Sequence, residues 1–196
     1  MPLREWEEVL VVQKVDSPLQ NTFTTAKSIF GVDGTDEAAE CKYTLPANFF
    51  LRGKGLSLSM QGDLSNIVTT PGTVTFQFML GAVIAWTSGA INLSTTAHTT
   101  LPFWLDLELT CQVGGAGTQC KLMGQGRITS QCVANTSVAD SVANTLPTLL
   151  LPNTTPAQGT GFDATAALKT DFFVGFSTSN AGNGVRSRQY KLRANN

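Results

Sequence analysis

The sequence is short of charge, of histidine and of long apolar runs. Charged residues make up 14% of its 196 positions, against about 25% in an average protein. The 13 Lys and Arg nearly balance the 14 Asp and Glu, which leaves a net charge of -1. A broad nucleic-acid surface needs many unpaired basic residues, and a membrane-spanning helix needs about 18 or more apolar residues in a row. Because the sequence has neither, we expect no nucleic-acid partner and no membrane partner.

Residues that usually carry catalysis are equally scarce. The one histidine, His98, lies in a Thr-rich loop with no acid or nucleophile motif that would complete a catalytic triad. Asp106 and Glu108 form the nearest pair of carboxylates. With Trp104 they take the outer face of a predicted strand whose other face carries Leu105 and Leu107. We interpret the two carboxylates as structural residues that pair with Lys121 and Arg127 of the next strand, rather than as an acid–base pair or a divalent-metal site. We therefore predict that the protein is not an enzyme.

No cofactor or metal site is expected either. The glycine-rich segment 114–117 lacks the Lys-Ser/Thr that follows the glycines of a phosphate-binding loop, and we interpret it as part of a hairpin loop. No two of the four cysteines have the CxxC spacing of a zinc site. The cysteines are Cys41, Cys111, Cys120 and Cys132.

The redox state of the cysteines depends on the compartment in which the protein is made. The first residues lack the apolar run of a signal peptide, so we expect synthesis in a reducing cytosol and free thiols. Cys111 and Cys120 flank the hairpin loop 113–118, and direct pairing across it would place both side chains inward. A disulfide between them remains an alternative to two buried free thiols. The same register would place Trp104 near Arg127, with Asp106 one diagonal step from Arg127.

The polar surface is built from hydroxyl groups rather than from charges. The chain has 26 Thr and 13 Ser, and β-branched Thr suits the exposed face of a strand. Apolar residues mostly recur with a period of two between Gly, Pro and Asn, which is the signal of strands and turns. The predicted strands are 22–29, 56–61, 73–80, 83–87, 104–112, 120–130, 171–177 and 185–192.

This pattern predicts an all-β protein, best described as a jelly-roll β-sandwich of about eight strands with long loops. We assign residues 21–196 to that single domain and 1–20 to an N-terminal arm or first strand. Residues 9–15 fit either a strand or the end of a short helix that starts at Leu3. Within the long loop 133–169, residues 149–151 fit an edge strand or a contact patch.

The two ends of the chain carry opposite charges. Residues 1–43 have a balance of -4 and residues 185–196 a balance of +4. We expect these ends either to attract each other, within one chain or between neighbours, or to remain two solvated ends. Trp6 makes the first segment the most partner-like one, because Trp is enriched at interface hot spots. The alternative is that Trp6 folds back onto its own sandwich.

Short segments that punctuate the predicted strands form a recognisable set. They are 68–73 (VTTPGT), Phe76, 80–81, 87–90 (TSGA), 94–97 (STTA), 102–103, 109–110, Gly114, 117–118 and 124–126 (GQG). The ends add 5–8 (EWEE), 162–166 (FDATA), 176–177, 180–183 (NAGN) and Gln189. Together they resemble structural proteins of tailed-bacteriophage virions over most of the chain. Segment 31–44, with Cys41, departs from that pattern.

The resemblance implies a virion component and, as our prediction, a capsid cement or decoration protein. Such proteins bind the outside of the head shell, often as homotrimers, and stabilise contacts between capsomers. The expected partners are the major capsid protein and further copies of this chain, and the expected location is the capsid surface. The alternative is a tail-fibre or receptor-binding protein that attaches to the host surface. The predicted interface residues are Trp6, Val9 and Leu10 in the arm, and Arg186, Arg188 and Arg193 in the last strand.

Overall fold

The computed structural model describes residues 7–134 and 147–195, which are almost entirely strands and loops. Eight strands have five or more residues: β1 (Glu7–Val12), β5 (Gly55–Asn66), β6 (Thr73–Leu80), β7 (Val83–Thr87), β9 (His98–Val113), β10 (Lys121–Ser130), β12 (Leu168–Phe176) and β13 (Gly184–Asn195). The shorter strands are β2 (Gln20–Asn21), β3 (Lys27–Ser28), β4 (Thr44–Leu45), β8 (Ile91–Asn92) and β11 (Thr148–Leu151). A short 3₁₀-helix, Glu37–Cys41, lies between β3 and β4.

The strands form two antiparallel sheets that pack face to face. The first sheet has seven strands in the order β1-β13-β5-β9-β10-β11, with β2 also paired to β13. The second sheet has six strands in the order β3-β12-β6-β7, with β4 paired to β12 and β8 to β6. Among several crossings of the chain between the sheets, one runs from β5 in the first sheet to β6 in the second, and another returns from β12 to β13. Because β5 pairs with β13 and β6 with β12, an early and a late crossing lie side by side, as in a jelly roll.

The space between the sheets is filled by alternate side chains of each strand. In β9, Phe103, Leu105 and Leu107 are buried while the residues between them face outward. This period of two is what a strand with one covered face dictates. Phe76 of the second sheet packs against Phe103 of the first, with ring centroids 6.1 Å apart. Burial of these apolar side chains, at roughly 25 cal/mol per Å², holds the two sheets together.

The predicted all-β sandwich is confirmed, and so are several local predictions. Residues 149–151 form most of the edge strand β11, which pairs with β10. For residues 9–15 the strand alternative holds in part, since β1 covers Glu7–Val12. The prediction for 22–29 is largely wrong, since only Lys27–Ser28 is a strand there. The N-terminal part of that segment is irregular, and Thr22 has a positive φ of 56°.

The predicted register of the β9–β10 hairpin is also wrong, by two residues. Cys111 pairs with Leu122 rather than with Cys120, and Asp106 lies directly opposite Arg127. The reason is that Cys120 leaves the hairpin and forms a bridge with Phe162, with backbone N–H to O distances of 3.1 and 2.9 Å. A bulge at the start of β10 accompanies this change.

Candidate functional site

The outer face of the first sheet, on the side away from the second sheet, carries an ordered pattern of polar side chains. Backbone pairing aligns them in rows that cross the strands, because residues opposite each other on neighbouring strands share a face. One row is Gln189, Gln61, Trp104, Thr129 and Thr148, and the next is Lys191, Ser59, Asp106, Arg127 and Leu150. These rows bring side chains from β13, β5, β9, β10 and β11 together on one surface.

Asp106 is the hydrogen-bonding centre of this face. Its Oδ1 accepts hydrogen bonds from the Trp104 indole N–H at 2.8 Å and from the Ser59 hydroxyl at 2.9 Å. Its Oδ2 accepts from Arg127, with Nε at 3.1 Å and the second guanidinium nitrogen at 3.0 Å. Four donors thus saturate one carboxylate. The arrangement fixes the edge of the Trp104 ring and the direction of the Arg127 guanidinium.

Trp104 stands out because 51% of its surface is exposed although its ring is held in place. It borders a depression of about 500 Å³, which we call the Trp104 groove. The polar side chains that line the groove with Trp104 and Asp106 are Gln61, Asp63, Arg127, Thr129, Arg188 and Gln189. Small-molecule sites in proteins occupy roughly 300–1,000 Å³, so the groove has the size of a ligand site.

A second depression of about 520 Å³ adjoins the first on the same face. Ser57 and Ser59 form its floor on β5, since these small side chains leave space between the longer ones on β13 and β9. Glu108 lies at its wall, accepts a hydrogen bond from the Asn195 amide at 3.3 Å, and has a pKa raised by burial. Together the two depressions make the outer face concave rather than flat.

The predicted pairing of the two carboxylates is only half right. Arg127 pairs with Asp106, whereas Lys121 lies opposite Val113 and pairs with neither carboxylate. Glu108 lies opposite Gln125. His98 is the first residue of β9, and residues 7–134 and 147–195 contain no group of three His, Cys, Asp or Glu side chains arranged to hold a metal ion.

Five of the six predicted interface residues lie on the paired strands β1 and β13. Trp6 lies outside the described residues. Val9 is 53% exposed, and Leu10 is partly buried against the core. Arg193 pairs with Glu7 at 2.8 Å, so the opposite charges of the two chain ends do meet within one chain.

The other two predicted arginines lie further along β13. Arg188 donates to Asp63 at 2.6 Å and to Asp16 at 2.5 Å. Arg186 is half-buried opposite Asp63. Contact of any of these arginines with an acidic partner stays a prediction.

All four cysteines are buried free thiols in the structure. The sulfurs of Cys111 and Cys120 lie 3.6 Å apart, and burial raises the pKa of Cys120 to about 12. Burial also raises the pKa of Cys41 and of Cys132 to about 11. Because the thiolate is the reactive form, Cys41, Cys120 and Cys132 are poor nucleophiles.

Charges are also gathered at one place on the second sheet, around Lys42. Its side chain is 7% exposed, and its ammonium group lies 2.8 Å from Asp33 and 3.3 Å from Asp171. It also donates to the backbone oxygen of Gly31 at 2.7 Å. We call Lys42, Asp33 and Asp171 the Lys42 cluster. It closes the 3₁₀-helix region onto β12: Lys42 and Asp171 are mostly buried, whereas the Asp33 side chain is half exposed.

The comparisons with known proteins show little. No protein-family model and no curated protein matches the sequence. Among solved structures, the chain is similar to the CBM2 module of the evolved Dit of Lactobacillus casei BL23 phage J-1. That similarity has a TM-score of 0.30 and 10% identity over 97% of each chain, and no conclusion is drawn from it. No helix in the described part of the chain is long and apolar enough to cross a membrane.

The sequence analysis did not single out Trp104 as a site residue, although it placed Trp104 on the outward face of its strand. The overlooked signal is a large aromatic side chain at an outward position between polar neighbours. An alternating strand normally places such a side chain inward.

Proposed function

We propose that the chain is a tailed-bacteriophage virion protein that acts as capsid cement on the outside of the head shell. The sequence resemblance to virion structural proteins is one support. The structural observation that supports it best is the edge strand β1. In the described residues nothing pairs with its outer edge, and both Val9 and Val12 are exposed on it. Such an edge presents unpaired N–H and C=O groups together with apolar side chains, which a partner's strand can cover.

The opposite edge of the first sheet supports self-association. There Leu150 on β11 is 79% exposed, and no strand of 7–134 or 147–195 covers the outer side of β11. Two different edges with exposed apolar side chains suit a head-to-tail contact between copies. Head-to-tail contacts generate a ring when the rotation closes, and a homotrimer is the ring we propose.

A cement protein stabilises the shell by binding alone and needs no catalytic site. A protein that binds the assembled shell, but not free subunits, stabilises the shell by mass action. Contacts repeated over the shell add avidity without a single strong site. A rigid sandwich whose first sheet has two uncovered strand edges meets these needs.

The test uses capsids from which this protein has been removed. We expect wild-type protein to rebind and to raise the temperature at which the capsids open. The double variant Val9→Lys/Val12→Lys should bind about tenfold more weakly or worse, because charge on an edge strand opposes strand pairing. Val68→Lys changes an equally exposed valine in the β5–β6 loop and should bind as wild type does. Capsids that gain neither bound protein nor heat resistance would contradict the proposal.

A second candidate function is attachment of the virion to its host, as a tail-fibre or receptor-binding protein. The Trp104 groove favours it, because an exposed aromatic ring held among polar side chains is typical of a ligand site rather than of a bare scaffold. Labelled protein mixed with host cells distinguishes the two functions. The cement role predicts that the protein binds stripped capsids, and the attachment role predicts that it binds cells but not capsids.

A further inference from the structure

The Trp104 groove combines an exposed aromatic ring with polar side chains, which capsid binding through the sheet edges does not use. We propose that it is a binding site for a neutral carbohydrate. The first argument is the platform. The indole N–H of Trp104 is committed to Asp106, so the ring is held by its edge while half of its surface remains open to solvent. An immobilised aromatic face packs against the C–H face of a pyranose ring at little cost in side-chain entropy.

The second argument is the polar rim. Gln61 and Thr129 lie directly beside Trp104 on the two neighbouring strands. Gln61 supplies an amide that donates and accepts hydrogen bonds. The Thr129 hydroxyl shares one hydrogen bond with the Thr148 hydroxyl at 2.8 Å and has capacity for another. Sugar hydroxyl groups also donate and accept hydrogen bonds, and they project around the apolar face that would cover the ring. The rim therefore matches the outline of a sugar bound to the platform.

The third argument is charge. The groove contains two carboxylates, Asp63 and Asp106, and two guanidinium groups, Arg127 and Arg188. Each carboxylate is paired with one arginine of the groove, so the charges cancel locally. A site for sulfated, phosphorylated or acidic sugars would need an excess of cations. The balance therefore selects a neutral glycan.

The same composition argues against a protein partner at this place. The centre of a protein interface is depleted of charged residues and surrounds its aromatic anchors with other apolar side chains. Here the apolar lining is Trp104 with its strand neighbours Pro102 and Phe103, of which Phe103 is buried. Two ion pairs, amides and a hydroxyl lie around the exposed Trp104 ring. The other large apolar side chains that are exposed on the first sheet lie outside the groove: Val9 and Val12 on β1, Val113 at the end of β9 and Leu150 on β11.

The test begins with an array of neutral and anionic oligosaccharides that includes bacterial surface glycans, probed with the full chain. The best neutral glycan is then titrated by calorimetry. Trp104→Ala should weaken that binding by about tenfold or more, and Trp104→Phe should weaken it less, because Phe keeps a platform but loses the bond to Asp106. Val113→Ala, an exposed residue near the end of the same strand, should bind as wild type does.

Several outcomes would overturn the proposal. One is wild-type protein that binds no neutral glycan, and another is binding confined to anionic glycans. A third is a Trp104→Ala variant that binds as tightly as wild type. Thermal unfolding of each variant shows whether the fold is intact.

Capsid binding separates this proposal from the cement role. Trp104→Ala should still bind capsids, whereas the β1 double variant should still bind the glycan. Loss of capsid binding in Trp104→Ala would identify the face as a protein interface and would contradict the carbohydrate site.

Discussion

The interior between the sheets and the outer face of the first sheet each hold a tryptophan with a hydrogen-bonded indole N–H, but the two rings differ in exposure. Trp86 is 4% exposed and donates its indole N–H to the backbone oxygen of Gly124 across the sandwich, at 3.1 Å. Trp104 also has its N–H bonded, but to Asp106, and its ring is half exposed. A hydrogen-bonded indole N–H therefore does not by itself identify a core tryptophan. What surrounds the ring decides whether it contributes to stability or is available to a ligand.

Removing each of the two tryptophan rings tests this contrast directly, through the free energy of unfolding. Trp86→Ala removes a ring packed between the sheets and leaves a cavity, so the free energy of unfolding should fall by about 3–5 kcal/mol. Trp104→Ala removes a ring that covers little, and the loss should stay below about 1 kcal/mol. Urea unfolding of both variants measures the two values. Equal losses would show that Trp104 is a structural residue and would remove the contrast.

The next effect compares two lysines. Lys42 is enclosed by Asp33 and Asp171, whereas Lys14 pairs with Glu40 at 3.3 Å with both side chains exposed. Lys42→Met leaves a mostly buried carboxylate without its cation and should cost about 3 kcal/mol. Lys14→Met removes an exposed ion pair and should cost less than about 1 kcal/mol. Chemical denaturation at neutral pH measures both, and a small loss for Lys42→Met would show that Asp171 does not need its cation.

Much of this fold could be predicted from the sequence, because strands covered on one face show their period directly. The outward positions of Trp104, Asp106 and Glu108 followed from that period alone. The pairing across the hairpin could not be predicted, because it depends on the bridge between Cys120 and Phe162, which are distant in the chain. The alternation along one strand predicts which face of the sheet a residue occupies. Its neighbours on other strands can be predicted only when the pairing register is known.

The candidate site shows the same limit more clearly. The groove is assembled from β13, β5, β9 and β10, and only two of these strands, β9 and β10, are consecutive in the chain. Asp106 meets Ser59 and Arg127 because three strands align. No local motif records that alignment. The two ends of the chain were easier, since opposite net charge already indicated that they could attract each other.

A smaller effect compares two glycines of β10 and its hairpin loop. A Cβ atom at Gly124 would lie 2.3 Å from a carbon of the Trp86 ring and 2.5 Å from Leu109. Gly124→Ala should therefore cost about 1–3 kcal/mol by overpacking. At Gly114 the nearest atom would lie 3.9 Å away, on Arg52, and Gly114→Ala should change stability by less than about 0.5 kcal/mol. Thermal unfolding of both variants checks whether close packing against Trp86 requires the glycine.

The smallest effect concerns pH and compares the two carboxylates that share Lys42. Burial raises the pKa of Asp171 above its ordinary value. Hydrogen bonds from Lys169 and Lys42 lower the pKa of Asp33. The folded state therefore holds the Asp171 proton more tightly than the unfolded state does, and the Asp33 proton less tightly. Linkage then gives the two groups opposite signs.

For Asp171, the free energy of unfolding should fall as pH rises from the ordinary aspartate pKa to its raised folded value. For Asp33, the contribution is present above the ordinary pKa and is lost as pH falls through the lowered folded value. Urea unfolding of wild type, Asp171→Asn and Asp33→Asn between about pH 3 and 7 measures both. The wild-type advantage over Asp171→Asn should shrink with rising pH, and that over Asp33→Asn should grow. If both stability differences changed with pH in the same direction, the buried Asp171 and the exposed Asp33 would not have opposite pKa shifts.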